Sequence, residues 1–372
     1  MKLKNKKGFT LIELLAVIVV LAIIALIATP IVMNTIKNAK KGAAERTADN
    51  YIKQVETAVA EAKLENKSVP NGTYDIDKDG NLTGEALPDG KLEIDMSGNK
   101  PTSGKITIKN NGVGKDKSNV KIGDYIVSYD KDNNKQQAQE LYKGTLCTKT
   151  DGVDLTNLKY GNKFICDVGD GEGKVFYVLE DGDTTTLTEG RLAQSGQVSL
   201  IMGSNVTEEG KSAEKGYRRR NSWVSKNDYL ASGGTEDNWN KICTNCGNSD
   251  LGPITAETTL KKYTATWIKI TSPQITLPTA QQIAIAGGET TEVWNTSSGR
   301  TYKSLSSWLW ENLYNGDGPF QYWTSTILST YPYYACAVGY AEYLDCINNV
   351  VNTVYNGPGV RPVITVSKSN LS

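Results

Sequence analysis

The chain has 372 residues, with 41 basic and 41 acidic side chains, so its formal net charge is zero and no global field recruits nucleic acid or acidic substrates. It contains no histidine, which excludes Ser-His-Asp and Cys-His catalysis, histidine-ligated zinc and histidine proton shuttles. No other nucleophile–base pair is visible, and the chain is read as a non-enzyme of two or three domains.

The amino-terminus comes first in chain order and carries the strongest signal. Lys2, Lys4, Lys6 and Lys7 precede the string GFTLIE (8–13), and from Leu14 to Ile36 no residue is charged. As a helix that run can span a hydrocarbon core of about 30 Å, with the lysines holding its flank in the cytoplasm. Glu13 costs roughly 2.5–3.5 kcal/mol if it enters lipid unpaired, so it calls for a partner. A secretory signal would have a shorter core and a small-x-small cleavage site, and Leu26 before Ala28 is a poor match. A plain anchor explains the lysines and the length, but not Gly8-Phe9 together with Glu13. The string, its basic flank and its apolar run resemble the start of type IV pilins and pseudopilins. The resemblance implies a leader, residues 1–8, cut between Gly8 and Phe9 by a prepilin peptidase/methyltransferase. It also implies a helix held in the cytoplasmic membrane before assembly and in the filament core afterwards, with Glu13 paired to the amine of a neighbouring pilin subunit. Pro30 stands where helices of that family often carry a proline, which removes a backbone donor and kinks or loosens the helix.

The helix is predicted over 9–65. Ile36, Ala44, Ala48, Ile52, Val55, Val59 and Ala62 recur at helical spacing on one face, and Lys37, Lys40, Lys41, Arg46, Lys53 and Glu56 suit the other. Pro70 and Gly72 are its expected breakers. Its second half is expected to pack on a pilin-like β-domain, 66–139, with strands at KLEIDM (91–96), KITIKN (105–110) and DYIVSYD (124–130). Asp75, Asp77, Asp79, Gly80 and Asn81 match the first half of an EF-hand-type calcium loop. The twelfth position is Ala86, however, and the carboxylate falls one place early at Glu85. Two readings stand: a degenerate Ca²⁺ site, or a solvated Asp/Gly turn before a strand.

Residues 140–372 form a third segment. KFICDV and KVFYVLE around a GDGEG turn (163–180) read as a hairpin, and VSLIMGSNV (198–206) as a further strand. Residues 207–250 read as a polar loop excursion. Tyr217, Arg218, Arg219, Arg220, Trp223, Tyr229 and Trp239 there combine cations with aromatic rings, a mixture enriched at binding hot spots and able to stack on single-stranded nucleic acid. An ordinary pinned loop whose aromatics cover the core is the competing reading. The six cysteines fall in close pairs, Cys147 with Cys166, Cys243 with Cys246 and Cys336 with Cys346. They are read as a disulfide framework with neighbour pairing, although spacing alone does not choose the connectivity. Cys243-Thr-Asn-Cys246 also fits a redox pair or half a zinc site.

LPTAQQI (277–283), YWTST (322–326) and GVRPVITV (359–366), in this order, resemble C-type-lectin-like domains of the formylglycine-enzyme-like and bacterial surface type. The resemblance implies a short helix after the LPT turn, a tryptophan-bearing strand, and a closing strand that rejoins the sheet. It also implies a short Cys336–Cys346 disulfide. Arg361 is read as a buried partner of a carbonyl or an acid. The sugar-binding strings Glu-Pro-Asn and Trp-Asn-Asp are absent, so the resemblance carries no ligand.

The whole is therefore expected to be α+β: a long transmembrane and then amphipathic helix on a small antiparallel sheet, followed by a disulfide-stapled lectin-like domain. The expected role is a minor or tip pilin at the cell surface that engages a receptor or glycan. The alternative is a pseudopilin of a type II secretion or DNA-uptake machine, where DNA becomes a partner.

Overall fold

A computed structural model describes residues 11–84, 86–115, 118–130, 134–185, 192–207, 221–241, 246–288, 301–302, 305–310, 314–315, 318–319, 321–327, 331, 333–339, 343–346, 351–352 and 358–372. Of the side chains in α1, those of 13, 25, 27, 30 and 31 are not among those described. The chain divides into two compact units, Met1–Glu140 and Leu141–Ser372.

In the first unit, helix α1 runs unbroken from Leu11 to Leu64, through Pro30. Its stop is set by Asn66, ahead of the expected breakers Pro70 and Gly72. Asn66 takes a left-handed φ of 58°, while the Lys67 amide donates to Ala62 O (2.8 Å) and the Asn66 amide to Lys63 O (3.2 Å). This is the Schellman closure, which satisfies orphan carbonyls of the last turn. Eight strands form one antiparallel sheet: β1 (Gly72–Ile76), β2 (Leu82–Thr83), β3 (Lys91–Leu92), β4 (Ser103–Lys109), β5 (Gly112–Val113), β6 (Asn119–Ile122), β7 (Tyr125–Asp130) and β8 (Lys135–Glu140). Their order is β3-β2-β1-β4-β6-β7-β8, with β5 paired to β4. Asn110 and Asn111, at φ 52° and 62°, make the β4–β5 turn, because a two-residue I′ turn needs both central residues left-handed. Ala44, Ala48, Tyr51, Val55, Val59 and Ala62 of α1 are buried in one cluster with Ile106, Ile108, Val120, Val127 and Ala138 of the sheet. Ile36, expected on that face, is instead exposed.

The strand expected over 91–96 stops at Leu92. The Ile94 amide donates to Asn81 Oδ1 (3.0 Å) and Ile94 O accepts from Lys100 Nζ (2.9 Å). Side chains therefore take the hydrogen bonds that a strand partner would have used.

In the second unit, a six-stranded antiparallel sheet has the order β13-β20-β12-β11-β10-β9. These are β9 (Cys147–Lys149), β10 (Lys163–Asp167), β11 (Gly173–Asp181), β12 (Gln197–Met202), β13 (Ile275–Thr276) and β20 (Val363–Ser367). The expected 163–180 hairpin is β10–β11, with Cys166 opposite Lys174. Both faces of the sheet are covered, so the central strands read as continuous apolar runs. Phe164, Phe176, Leu200 and Ile364 join one cluster, and Leu179, Ile201 and Val363 another. The first is roofed by α2 (Lys226–Ala231), α3 (Glu236–Trp239) and α4 (Ile254–Tyr263). The second is roofed by α5 (Ala280–Ala286) and α6 (Ser307–Trp310). A smaller sheet is ordered β14-β19-β18-β17, from β14 (Thr301–Tyr302), β17 (Tyr322–Ile327), β18 (Ala335–Gly339) and β19 (Tyr343–Asp345). β15 (Tyr314–Asn315) and β16 (Gly318–Pro319) pair with each other.

Thr279 begins α5 with a full capping box to Gln282, so the helix after the LPT turn starts where Ser/Thr-x-x-Gln chemistry places it. Within 207–250 the picture differs from the expected loop. Ser225 and Thr235 cap α2 and α3, and these short helices bury their aromatics.

Candidate assembly surface

α1 has two halves of opposite character. From Ala44 onward its apolar face is consumed by the unit's own sheet. From Leu11 to Ile36, every described Leu, Ile, Val and Met is at least 50% exposed. Contiguous apolar surface on this scale marks a membrane or protein interface. The change of character falls at Lys37, whose Nζ pairs with Glu140 Oε2 at 2.5 Å and whose carbonyl accepts from Tyr125 Oη (3.4 Å). The hydrogen bond that Lys37 donates to Glu140, helped by the charge of that carboxylate, raises the Lys37 pKa. Glu45 Oε1 accepts from the Ala138 amide at 3.1 Å, so the helix is fastened along the edge strand β8 just past the exposed run.

The expected membrane-crossing helix is not found: among the described residues, no helix is long and apolar enough to span a bilayer. α1 is long, but charged residues occupy it from Lys37 onward, and five side chains of its apolar half are not described. Gly8 and Phe9 lie outside the described residues, as do the side chains of Glu13 and Pro30.

The calcium-like segment is a fastened turn. Asp75 lies in β1 opposite Thr83 and Lys105, with Lys105 Nζ 3.6 Å from its carboxylate. Asp77 Oδ1 accepts from the Asp79 amide (2.9 Å) and the Asn81 amide (2.8 Å), and Lys91 Nζ stands 3.7 Å from Oδ2. Burial works to raise the Asp77 pKa, but these amides, the Asn81 side chain and Lys91 outweigh it and hold the carboxyl below its usual value. Gly80, at φ 80°, sits where a Cβ would meet Lys100 at 2.8 Å, and its carbonyl accepts from the buried Tyr51 Oη of α1 at 3.0 Å. Among the described residues no group of three or more His, Cys, Asp or Glu could hold a metal ion; Glu85 lies outside them.

Of the expected recognition residues, the described ones lie in the core and not at a surface. Trp223 and Trp239 are 0% and 1% exposed, and Tyr229 is buried with them. Their rings complete the core over the six-stranded sheet, because so loop-rich a unit needs large apolar area there. Tyr217, Arg218, Arg219 and Arg220 lie outside the described residues.

Cys147–Cys166 and Cys336–Cys346 are disulfides. The first joins directly opposed residues of β9 and β10. Cys246 is disulfide-bonded as well, and Cys243 lies outside the described residues. Arg361 is fully buried. Its Nη1 donates to Leu309 O at 2.9 Å and its guanidinium stacks 4.5 Å from the Tyr322 ring centroid.

Two arrangements have no counterpart in the sequence reading. Lys368 Nζ bridges Asp181 (2.6 Å) and Asp183 (2.7 Å). Glu180, fully buried, accepts from Gln282 Nε2 (2.6 Å) and the Leu192 amide (3.0 Å), tying β11 to α5. The Glu-Asp-Gly-Asp string (180–183) was their only visible trace. An open cleft of about 710 Å³ in the first unit, lined by Lys40, Lys78, Asp79, Lys100 and Asp124 among others, mixes both charges.

Residues 3–29 match the family described as the prokaryotic N-terminal methylation motif. The amino-terminus is a type IV pilin-like prepilin leader. The motif supports a type IV pilin-like or pseudopilin subunit and implies processing by prepilin peptidase and assembly with other pilin subunits. No curated protein and no solved structure matches the chain.

Proposed function

We propose that the chain is a minor or tip subunit of a type IV pilin-like filament, and that residues 140–372 form a lectin-like domain for recognition and adhesion at the cell surface. The observation that carries the filament part is the uncovered apolar half of α1 directly behind a prepilin leader. Its second half is already spent on the subunit's own sheet. The first half needs another apolar phase, which the cytoplasmic membrane supplies before assembly and neighbouring copies supply afterwards. Glu13 then finds its counter-charge in the amine of a neighbour's Phe9.

The recognition part is supported by the bulk of the second unit and by its disulfides, which suit an oxidising, extracellular setting. A unit of this size is easiest to place at a tip or sparsely along a fibre. With Trp223 and Trp239 committed to the core, the receptor- or glycan-binding surface belongs to the loops rather than to those rings. No metal is assigned a role, and catalysis is not part of the proposal.

The second reading, a pseudopilin of a secretion or DNA-uptake machine, shares the same leader. The test is a deletion strain scored for adhesion, secretion and DNA uptake, with immunogold labelling of surface filaments. Sparse or terminal label with lost adhesion is expected. Intact adhesion with lost secretion or uptake would move the assignment to the second reading.

A further inference from the structure

An ammonium taken out of water needs acceptors for its three donors. Strand β11 buries such a group. Its side chains alternate between the two faces of the sheet, and Lys174 shares the inner face with the buried Phe176 and Val178. The Lys174 side chain is 2% exposed. It stands opposite Cys166 of β10, and Cys166 and Phe176 both belong to the buried cluster on that side. Lys174 Nζ lies 2.7 Å from Asp170 Oδ2. That contact lacks the angles of a hydrogen bond, and among the described residues Nζ has no hydrogen-bond acceptor.

The β10–β11 turn folds two carboxylates onto this amine. Gly169 and Gly171, at φ 95° and 88°, are left-handed on either side of Asp170. The Asp170 side chain is only 9% exposed. Its Oδ1 accepts from the Glu172 amide at 3.3 Å, while Oδ2 faces the amine. Glu172 Oε2 is 3.8 Å from the same Nζ, and its side chain is 54% exposed. A buried amine, a carboxyl in contact with it and a second carboxylate in touch with solvent therefore converge within five residues of sequence.

We infer that Lys174 and Asp170 condense into a side-chain amide, with Glu172 carrying the proton. Glu172 takes a proton from the ammonium, and the neutral amine attacks Asp170 Cγ. Negative charge gathers on Oδ1, where the Glu172 amide already donates. Glu172 then returns its proton to Oδ2, which leaves as water with a second proton from Nζ. The Nζ–Cγ bond forms, the Cγ–Oδ2 bond breaks, and the opposite charges of Lys174 and Asp170 cancel. No oxidant, reductant or co-reactant is needed. Contact between the reacting groups supplies the effective concentration that separate molecules lack. A neutral amide also replaces a buried ion pair whose desolvation is poorly repaid without hydrogen bonds. The bond closes the turn beside the Cys147–Cys166 disulfide and, unlike it, survives reductant. The inference rests on the second unit and is independent of the filament assignment.

The test is peptide mass spectrometry on the full-length chain, reduced, alkylated and digested with trypsin. The expected product is one peptide, Phe164–Arg191, uncut after Lys174 and one water lighter than its sequence. Its fragment ions should show no loss of residues between Asp170 and Lys174, because the ring holds them together. Full mass, whether or not trypsin cuts after Lys174, would mean an ordinary buried ion pair and would overturn the inference. A succinimide at Asp170-Gly171 also loses one water, but it leaves Lys174 open to trypsin and fragments through 171–174; that pattern would overturn it equally. Glu172→Gln alters an exposed side chain and keeps both reacting groups. It should slow the bond by about 10²–10⁴-fold, so that freshly made variant gives the full-mass peptides. A Glu172→Gln chain crosslinked as fast as wild type would overturn the proton route through Glu172.

Discussion

Two valines on one helix should behave in opposite ways. Val55 is 0% exposed in the cluster between α1 and the sheet, whereas Val20 is 54% exposed. Replacing either by alanine removes the same two carbons. At Val55 the lost transfer energy of about 0.8 kcal/mol per buried carbon, plus the cavity left in a close-packed site, makes the cost about 2–3 kcal/mol. At Val20 the isolated subunit should lose almost nothing. Full burial of a valine is worth about 1.5–3 kcal/mol, and roughly half of that remains to be gained at Val20, so Val20→Ala weakens each assembled subunit by about 1 kcal/mol. The assays are chemical denaturation of the detergent-solubilised subunit, followed by circular dichroism, and the yield of sheared filaments from cells carrying each variant. Val55→Ala is expected to shift the denaturation midpoint, and Val20→Ala to leave it fixed while reducing filament yield. A Val20→Ala subunit as destabilised as Val55→Ala, or one that assembles at full yield, would refute the division of the helix into a folded half and an assembly half.

Cys336→Ser should cost about 2–4 kcal/mol, the usual effect of opening a structural disulfide, and dithiothreitol should lower the wild-type Tm in the same direction. Lys368, with the Gly196 amide and Ser195 hydroxyl, depresses the Asp183 pKa to about 2. A depressed carboxylate gives stability that is complete above its unfolded value near 4 and is lost as pH falls through about 2. Because Asp183 is 38% exposed, solvent screens the pair and the effect is modest. Lys368→Ala should raise the Asp183 pKa toward its usual value in an NMR titration; an unchanged pKa would contradict the assignment. Adding Ca²⁺ or a chelator should leave the Tm of the first unit unchanged, because Asp77 already accepts from two amides and faces Lys91. A calcium-dependent rise would restore the calcium-loop reading.

What could be read from sequence followed local chemistry. The leader string, the long helical run and the β10–β11 hairpin each carry a signal within a few residues. The neighbour-paired Cys147–Cys166 and Cys336–Cys346 do so as well. Misreadings occurred where distant groups decide. Ile94 alternates like a strand residue but gives its amide to Asn81. Strand β8 (KQQAQE) looks too polar to be one, yet only Gln136 and Ala138 need to point inward, and its edge is held by Glu45 from the helix. Trp223 and Trp239 stand beside arginines and polar residues and so resemble a surface patch. Ser225 and Thr235 start short helices that turn those rings into the core. The Lys368 bridge to Asp181 and Asp183 joins the last strand region to β11 across most of the unit's sequence, and no local pattern announces it.

The most direct test of the account is N-terminal mass spectrometry on sheared surface filaments and on the membrane fraction. The account predicts filaments containing a chain that begins at Phe9 and carries a methylated amine. An unprocessed Met1 or Lys2 terminus, confined to membranes and absent from filaments, would contradict it.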